Sequence, residues 1–356
     1  MRLQPVVVFS VNLLLDRIMK KLPSVGIVGA TGAVGVQLIK CLEVRGFPLS
    51  SLRLFASARS AGKRLPFRGQ DLIVEELGSR SFEGLDIALF SAGGSTSREY
   101  IPIAAKAGTV SIDNSSAFRM TDGVPLIVPE VNPQALGPDD KIIANPNCST
   151  IIALVPLWPI HQRLSISRVV VSTYQAASGA GAAGMAELEH STRAHLAGEA
   201  FAPQVFPHSY AFNVFSHNSK VDIEDGDNEE EAKMLKETRK IFSAPGFRIS
   251  ATCVRVPVMR AHCESLHVEC EKPVDLEEVR GILSNAPGVR IVDDRAGNKF
   301  PMPVEASGQD DILVGRLRMD TTDPTNRSFW MFVSGDQLLK GAALNAVQIA
   351  ELLLQK

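Results

Sequence analysis

The sequence has almost no excess of charge of one sign: its 356 residues include 37 lysines and arginines and 39 aspartates and glutamates. It has no basic stripe and no long acidic tail, so its composition does not favour binding to nucleic acid or to a cationic partner. Long apolar runs are absent as well. Val6 to Leu15 is too short to span a bilayer, and no small-residue cleavage site follows it. We therefore expect neither a nucleic-acid ligand nor a membrane anchor, and interpret residues 1–20 as an extension ahead of the fold.

Cysteine is scarce and scattered. No C-x-x-C pair and no Cys/His ligand spacing occurs among the five cysteines, which are Cys41, Cys148, Cys253, Cys263 and Cys270. A disulfide framework and a structural zinc site are therefore not expected. This pattern favours a reducing compartment and predicts no metal ligands.

The sequence contains enough apolar residues for the cores of two domains. Hydrophobic residues make up 45% of the chain and charged residues 21%, which supports sizeable cores at this length. An apolar strand at residues 24–30 leads into the turn Gly29-Ala-Thr-Gly-Ala-Val-Gly35, and an amphipathic helix follows. This order is typical of a dinucleotide-binding βα unit, although a tight turn without a ligand has the same pattern. The alternation continues and predicts a parallel, doubly wound sheet, with strands at 52–56, 86–90 and 109–113 and a helix at 97–107.

The end of the second strand bears on which dinucleotide would bind. An NAD site usually has an acidic residue there, which accepts a hydrogen bond from the ribose 2′-hydroxyl. This sequence instead offers Ser57, Arg59 and Ser60, donors that suit a 2′-phosphate. The segment therefore favours NADP, with an ordinary solvated loop arginine as the alternative for Arg59.

The pattern of predicted strands and helices changes in the second half of the chain. Strand-like runs at 168–175, 248–254 and 262–270 are separated by long helical or irregular stretches around 184–196 and 229–241. This organisation predicts an α+β domain on an antiparallel or mixed sheet. A further strand is expected at 328–334 and a helix at 341–354, whose helical period does not reveal the domain on which it packs.

Cys148 lies in the segment Ala-Asn-Pro-Asn-Cys-Ser-Thr, which opens an apolar run. Asn147 or Cys148 can begin the helix, while Pro146 directs the approach of the chain. A helix N-terminus favours the thiolate, which is the nucleophilic form of cysteine. The pattern therefore indicates a catalytic cysteine, although a free cysteine is often just a small buried apolar residue.

A thiol beside a dinucleotide site suggests acyl chemistry coupled to hydride transfer, which also needs a proton carrier and anion-binding groups. Of the seven histidines, we expect five to be surface or capping residues: His161, His190, His195, His208 and His217. His262 is favoured as the proton carrier over the mid-strand His267. Pro257 breaks the run between Arg255 and His262, so two strand ends can turn toward one pocket.

Two further polar segments are candidates for anion binding. Arg119 follows the strand that ends at Asp113, at the edge where ligands collect in such sheets. Glu230 and Lys233 share one helical face. A solvated helix start explains that pair equally well when it is considered alone.

Several long motifs, in order, resemble the aspartate-semialdehyde dehydrogenase family over nearly the whole length, from about Val25 to the C-terminus. The matching stretches are GIVGATGAVG, FASARSAGK, DIALFSAGGS, DNSSAFRM, VPEVNP, NPNCST, VSTYQAASGAG, EEEAKM, TCVRVPVMRAH and GDQLLKGAALN. The resemblance implies an NADP-binding Rossmann domain at 21–147 that is completed by a C-terminal helix at 337–356. It implies a catalytic and dimerisation domain at 148–336.

The resemblance also implies residue roles. Cys148 would form an acyl thioester, His262 would act as general acid/base, and Gln175 would orient the substrate. Substrate or phosphate would contact Arg119, Arg255, Glu230, Lys233 and Asn147. The cofactor would contact Gly29, Thr31, Gly32, Ala33, Val34, Arg59, Ser60, Ser178, Gly179 and Gln337.

The implied activity is the NADPH-dependent conversion of L-aspartyl-4-phosphate to L-aspartate 4-semialdehyde, which supplies lysine, methionine, threonine and isoleucine synthesis. A homodimer or a dimer of dimers is implied, in the cytoplasm, or in a plastid if the source is a plant or alga. The alternatives are N-acetyl-γ-glutamyl-phosphate reductase, the more distant malonyl-CoA reductase, and a degenerate dimerising paralogue, which would be expected to lack Cys148 or His262.

Overall fold

The computed structural model describes residues 22–355, so the predicted extension at 1–20 lies outside the described residues. Two seven-stranded sheets organise the described part of the chain. The first sheet contains β1 (Ser24–Val28), β2 (Ser51–Ala56), β3 (Arg64–Phe67), β4 (Gln70–Glu76), β5 (Ile87–Phe90), β6 (Val110–Asp113) and β7 (Ile142–Ala144). The helices α1 (Ala33–Val44) and α2 (Gly94–Lys106) connect strands of this sheet.

The strand order of the first sheet is β3-β4-β2-β1-β5-β6-β7. Every pairing is parallel except β3–β4, which form an antiparallel hairpin at one edge. The prediction of a parallel, doubly wound sheet is confirmed. The edge hairpin was not predicted, because Pro66 interrupts β3 and charged residues flank the apolar centre of β4. Its turn residues Arg68 and Gly69 both have positive φ, as a two-residue hairpin turn requires.

A ligand crevice opens where the strand order reverses, at the carboxyl ends of β1 and β5. The chain leaves β1 through Gly29, whose φ is +87°. A Cβ atom on Gly29 would lie 2.3 Å from the Ser91 carbonyl oxygen, which belongs to the segment leaving β5. Glycine at position 29 therefore allows the two strand ends to approach each other and to form the wall of the crevice.

The second sheet is mixed. The sequence predicted either an antiparallel or a mixed sheet here, and the second alternative is confirmed. It contains β8 (Ile166–Gln175), β9 (Phe215–Ser216), β10 (Arg248–Arg255), β11 (His262–Cys270), β12 (Val289–Ile291), β13 (Ile312–Met319) and β14 (Ser328–Gly335). Its order is β12-β13-β14-β11-β8-β10-β9. Strand β10 runs parallel to β8, whereas β11 runs antiparallel to it. The ends of β8 and β10 and the start of β11 therefore meet at one edge.

Three helices, α3 (Cys148–Leu164), α5 (Glu229–Ile241) and α6 (Leu276–Ser284), share one hydrophobic core with a face of this sheet. The other two helices lie outside that core: α4 (Gly181–Ala197) packs in a separate cluster with Phe206 and Tyr210, and the short α7 (Pro303–Ala306) packs against Leu313. Helix α3 is buried along most of its length, and its apolar side chains form the centre of the core against the sheet. This burial orients the N-terminus of α3, where Cys148 lies.

The C-terminal helix, α8 (Leu344–Leu354), packs into the core of the first sheet. Its buried residues Leu344, Val347 and Ile349 join a cluster that contains Leu38 and Leu42 of α1. The helical period alone could not place this helix, because the sequence shows which face is apolar but not its partner. Within residues 22–355, no helix is both long and apolar enough to cross a membrane.

Candidate active site

A cavity of about 590 Å³ lies between the crevice of the first sheet and the strand ends of the second sheet. All eight residues predicted to be catalytic or substrate-binding line it: Asn147, Cys148, Gln175, Arg119, Glu230, Lys233, Arg255 and His262. A second cavity of about 520 Å³ shares Gly32 and Ser91 with it. Together the two cavities form one groove that runs from Arg59 to Cys148.

Cys148 is the first residue of α3, and Asn147 is the N-cap. The Asn147 side-chain oxygen accepts hydrogen bonds from the backbone amides of Ser149 (3.0 Å) and Thr150 (3.2 Å). All five cysteines lie in the described part of the chain, and Cys148 differs from the others because it is partly exposed. The structure therefore presents one sulfur to the cavity and buries the other four.

The position of Cys148 does not by itself ionise the thiol, contrary to the expectation from the helix N-terminus. Burial raises the pKa of the Cys148 thiol to about 12, and Glu230 adds to this rise. Arg119 and Arg255 act in the opposite direction. Desolvation of the sulfur is the largest influence on this pKa, so formation of the thiolate depends on further positive charge near the sulfur or on transfer of its proton.

His262 is buried, and its Nδ1 accepts a hydrogen bond of 3.0 Å from the Ala176 backbone amide. Burial, reinforced by the nearby Arg255, lowers the pKa of His262 to about 3, so the ring is neutral at physiological pH. Because Nδ1 accepts, the proton of the neutral ring lies on Nε2. The Nε2 edge faces Gly179, where a Cβ atom would be 3.3 Å away. His262 thus presents an N–H donor to the cavity. To act as a base there, its Nε2 would have to lose that hydrogen, which requires the tautomer with the hydrogen on Nδ1.

Arg255, Gln175 and His262 lie side by side because β8 runs between β10 and β11. Arg255 is directly paired with Gln175, and His262 precedes Cys263, which pairs with Tyr174. The break at Pro257 brings Arg255 and His262 to one cavity, as the sequence predicted. The intervening strand was not predictable from that segment, because it comes from far upstream in the chain.

Arg255 is held from three sides. Its Nε donates to the Asn218 side-chain oxygen (3.0 Å), and its Nη1 donates to the Ala176 carbonyl oxygen (2.8 Å). Its Nη2 lies 2.9 Å from Nε2 of His217. These contacts fix the plane of the guanidinium, which is a requirement for bidentate binding of a carboxylate.

His217 is a site residue that the sequence analysis missed. We expected it to be a surface or capping histidine, but it lines the main cavity, and burial lowers its pKa to about 4. His161 also differs from that expectation, since its ring stacks on Phe242 with centroids 5.2 Å apart. His190, His195 and His208 are exposed, and His267 lies outside the cavity with Nε2 2.9 Å from Asp320.

Glu230, rather than Glu231, faces the cavity. Its Oε1 accepts hydrogen bonds from the side-chain amides of Asn147 (2.8 Å) and Gln175 (3.3 Å), and Lys233 lies 3.3 Å from its Oε2. Burial by itself raises the pKa of Glu230, but His217, Lys233 and the hydrogen bonds from Asn147 and Gln175 together outweigh it and lower the pKa to about 2. Glu231 instead completes the capping box of α5. The cavity therefore contains one ionised carboxylate beside the two amides.

Arg119 reaches the cavity but already has a charged partner. Its Nη1 donates to Glu237 (3.0 Å), while Nε and Nη2 donate to the carbonyl oxygens of Asn145 and Asn114 (both 2.9 Å). Glu237 was not predicted from the sequence. A signal was present, because positions 230, 233 and 237 follow helical spacing on one face of α5.

The ten residues predicted to bind a dinucleotide line the two cavities. Arg59 is exposed in the second cavity and forms no hydrogen bond or ion pair among residues 22–355. Gln337 links the C-terminal segment to the main cavity: its Oε1 accepts from the Ala261 amide (2.9 Å), and its Nε2 donates to Ser178. A phosphate-bearing ligand could therefore meet an unpaired arginine at one end of the groove.

The segment after Gln337 forms one turn of π-helix, Leu339–Ala343, before α8. Gly341 in this turn faces the nucleophile, and a Cβ atom there would lie 2.9 Å from Cβ of Cys148. The opposite side of the turn is anchored by Lys340, whose buried Nζ is 2.5 Å from Glu130. The backbone of the C-terminal segment thus forms one wall beside the sulfur.

Glu264 lies on the same strand as His262, one inward-facing position further on, and is fully buried. Neither of its carboxylate oxygens has a hydrogen-bond partner among the described residues. Burial raises the pKa of Glu264 well above its usual value, and Glu230 adds to the rise. We infer that the carboxyl is protonated in the folded protein at neutral pH.

We expect Glu264→Gln to raise the melting temperature at pH 8 by about 3 °C or more. The unfolded chain releases the Glu264 proton near its ordinary pKa while the folded protein retains it, so wild-type stability falls as pH rises. The benefit of the glutamine should disappear below that ordinary pKa. Thermal unfolding from pH 4 to pH 8 tests this, with the exposed Glu277→Gln as the control. Equal pH slopes for Glu264→Gln and the wild type would contradict the protonated state.

Two family models match the chain in order. The model described as semialdehyde dehydrogenase, NAD binding domain, matches residues 24–138, and the model described as semialdehyde dehydrogenase, dimerisation domain, matches residues 157–340. Aspartate-semialdehyde dehydrogenases from Synechocystis and Aquifex aeolicus are 51% and 52% identical to this chain, each over 93% of it, and the matches cover 97% and 98% of those proteins. The chain belongs to the aspartate-semialdehyde dehydrogenase family.

Solved structures agree with this assignment. Aspartate-semialdehyde dehydrogenase II from Vibrio cholerae, in a structure described as complexed with ASA, superposes with a TM-score of 0.91 at 43% identity. The match covers 95% of this chain and 99% of that chain. The resemblance of the sequence motifs to the aspartate-semialdehyde dehydrogenase family is therefore confirmed, and so is the two-domain α/β fold.

Proposed function

We propose that this protein is an NADP-dependent aspartate-semialdehyde dehydrogenase. It reduces L-aspartyl-4-phosphate to L-aspartate 4-semialdehyde with release of phosphate, a step toward lysine, methionine, threonine and isoleucine. The observation that carries the proposal is one cavity that combines a cysteine at a helix N-terminus, a neutral histidine, an ionised carboxylate and two arginines. That cavity is joined to a dinucleotide groove in a chain about half identical to curated dehydrogenases.

The proposed reaction begins at the sulfur of Cys148. The sulfur attacks the acyl carbon as the thiolate: a C–S bond forms, the bond from that carbon to the phosphate oxygen breaks, and the thiol proton leaves with the departing phosphate. Arg119 and Lys233 receive the departing phosphate. Ser178, Gly179 and Gln337 would hold the nicotinamide end of NADPH, which would supply a hydride to the thioester carbon. Reduction of that carbon would release the aldehyde and return Cys148 as the thiolate.

His262 acts as a hydrogen-bond donor in this scheme. Its Nε2–H faces the cavity and stabilises the oxygen that gains charge when the thioester carbon becomes tetrahedral. In the reverse direction, oxidation of the aldehyde, the substrate oxygen must lose a proton. His262 can accept that proton at Nε2 only in its other tautomer, in which Nδ1 carries the hydrogen. The Cys148 backbone amide and the remaining Asn147 side-chain N–H complete the oxyanion site. Gln175, held 2.5 Å from Ser149, orients the thioester.

Substrate selectivity follows from the charges opposite each other in the cavity. Arg255 binds the α-carboxylate through its fixed guanidinium, and ionised Glu230 binds the α-ammonium group. A buried carboxylate suits an ammonium group better than an acetylated nitrogen, which carries no charge. This favours aspartyl phosphate over the N-acetyl-γ-glutamyl phosphate of the alternative reductase.

NADP fits the groove that the residues form. The glycine turn at Gly29 would allow the pyrophosphate of the cofactor to approach the N-terminus of α1. Ser57, Arg59 and Ser60 line the end of the groove that is far from Cys148. Ser178, Gly179 and Gln337 line the end next to Cys148, where the nicotinamide ring would lie. Positive charge on the oxidised ring would also favour the Cys148 thiolate.

We expect Arg59→Ala to raise the KM for NADP about 10- to 100-fold, because the variant loses one charge-assisted hydrogen bond to the 2′-phosphate. The KM for NAD should change less than about twofold, because NAD has no 2′-phosphate. Steady-state kinetics with both cofactors measure this. Arg64→Ala, an exposed arginine outside both cavities, is the matched control. Equal losses for NADP and NAD would contradict a 2′-phosphate contact.

We further propose a homodimer formed through the open face of the second sheet, with a dimer of dimers as the larger assembly. Tyr174 is exposed on this face and lies beside Phe332, with ring centroids 6.1 Å apart. We also propose two domains: a dinucleotide-binding domain of residues 21–147, completed by residues 337–356, and a catalytic and dimerisation domain of residues 148–336. The proposed location is the cytoplasm, or the plastid for a plant or algal source.

The test is formation of NADPH from L-aspartate 4-semialdehyde, inorganic phosphate and NADP by the purified protein. We expect turnover that depends on phosphate and disappears after alkylation of Cys148. Turnover with N-acetylglutamate semialdehyde alone would favour the alternative reductase. Absence of turnover with either aldehyde in a protein that binds NADP would favour the degenerate paralogue.

A further inference from the structure

Glu237 lies behind the cavity wall, on the third turn of α5, and is 1% exposed. One carboxylate oxygen accepts a hydrogen bond of 2.6 Å from the backbone amide of Asn147, and the other accepts one of 3.0 Å from Arg119 Nη1. Glu237 therefore joins two parts of the site: the N-cap of the nucleophile's helix and the arginine proposed to bind phosphate.

The placement of Glu237 follows from the pattern of α5. Four charged residues, Glu230, Lys233, Glu237 and Lys240, recur at intervals of three or four along one face of the helix. The first two line the cavity. The last two hold Arg119, because Lys240 Nζ donates to the Arg119 carbonyl oxygen at 2.7 Å. One helix face thus supplies the substrate contacts and supports the arginine.

The charge of Arg119 is already shared before any anion arrives. The side chains of Arg119 and Glu237 are 9% and 1% exposed, so the pair is screened little by water. Burial raises the pKa of Glu237, but both of its hydrogen bonds come from donors, and this geometry favours the carboxylate. Two neutral contacts, the carbonyl oxygens of Asn145 and Asn114, fix Arg119 independently of Glu237.

We propose that Glu237 is a positioning residue that weakens phosphate binding by partly neutralising Arg119 while it ties that arginine to the residue before Cys148. The inference rests on the proposed role of Arg119 as a phosphate ligand. An arginine without its carboxylate would bind phosphate more tightly, because the anion would then compensate an unpaired buried charge. The shared charge lets phosphate leave after the acyl transfer, and it lets phosphate enter in the reverse direction without being trapped.

The test is Glu237→Gln, which keeps an oxygen for the Asn147 amide and removes the negative charge. We expect a lower melting temperature without phosphate, and a larger rise in melting temperature on addition of inorganic phosphate than in the wild type. The KM for phosphate should fall about tenfold, while the KM for the semialdehyde changes less than about twofold. A purely structural role predicts the opposite direction for the phosphate KM.

Asp293→Asn is the matched control, because Asp293 is likewise a buried carboxylate that accepts hydrogen bonds from an arginine, Arg280, and from a backbone amide, and it lies outside the main cavity. It should lower the melting temperature without increasing the response to phosphate. If Glu237→Gln does not fold, Glu237→Asp withdraws the carboxylate by one methylene and should lower the phosphate KM about threefold. A phosphate response no larger than that of the wild type, or one shared with Asp293→Asn, would overturn the inference.

Arg119→Gln distinguishes this failure from failure of the proposed function. If the wild type responds to phosphate and Arg119→Gln does not, the phosphate site stands and only the role of Glu237 is at risk. If Arg119→Gln responds like the wild type, phosphate binds elsewhere and both proposals fail.

Discussion

Replacing Cys148 with alanine is expected to reduce turnover by at least about 10⁴-fold, the range seen when a covalent nucleophile is removed. No other sulfur can substitute, because the remaining four cysteines are fully buried. NADP binding should be unchanged, since the groove at Gly29 and Arg59 does not depend on the sulfur. Phosphate-dependent NADPH formation measures the loss, and fluorescence titration with NADPH measures the binding.

Cys253→Ala is the matched control for that variant. Cys253 is buried in β10, and burial raises the pKa of its thiol strongly, so it is neither accessible nor ionised. The control should retain turnover within about threefold, with any loss explained by a small cavity. An alkylating reagent should inactivate the wild type and the control at equal rates. Substantial turnover by Cys148→Ala would refute the thioester route and with it the proposed chemistry.

The parts of the fold that the sequence predicted are those in which a local pattern determines the structure. Strand Ile87–Phe90 is apolar throughout because helices cover both faces of a parallel sheet. The stretch 229–241, which the sequence left as helical or irregular, is a helix whose start is set by the capping box of Asn228 and Glu231. By contrast, β12 and β13 were missed. Strand β12 is a three-residue edge strand, and in β13 two arginines and a break in register interrupt the apolar pattern, so both are defined by pairing with neighbouring strands.

The same distinction applies to the site. Cys148, Arg119 and the glycine turn each follow from the local rule for a strand end or a helix start. His217 lies in a long connection without regular periodicity, and only the folded chain places it beside Arg255. The protonation states were equally inaccessible, because the high pKa of Cys148 and the low pKa of His262 arise mainly from burial. Burial is a property of the tertiary structure.

The C-terminal segment illustrates how residues distant in sequence complete the site. Lys340 is buried among oxygens of Glu130, Asn345 and Gln348, which lock one side of the π-helical turn. The other side contacts Cys148 through Gly341. A π-turn places its residues differently from a regular helix, and such turns are frequent at functional sites. The turn therefore sets how close the chain can pass to the sulfur.

We expect Gly341→Ala to reduce kcat about 100-fold, because a displacement of the reacting sulfur by about 1 Å costs that much. The new methyl group would lie 2.9 Å from Cβ of Cys148, a separation that real Cβ atoms do not adopt. Neither neighbour can yield easily, since Cys148 begins a buried helix and Lys340 anchors the turn. Steady-state kinetics and the rate of Cys148 alkylation should both report the displacement.

Gly281→Ala separates this local effect from the general consequence of adding a methyl group to a helix. Gly281 lies within α6, and nothing comes within 4 Å of a Cβ atom built there. Alanine at that position should leave kcat unchanged and raise the stability by about 0.5–1 kcal/mol. Wild-type kcat in Gly341→Ala would mean that the turn can move away from the sulfur. In that case, the close contact at Gly341 would be a consequence of packing rather than the feature that positions the nucleophile.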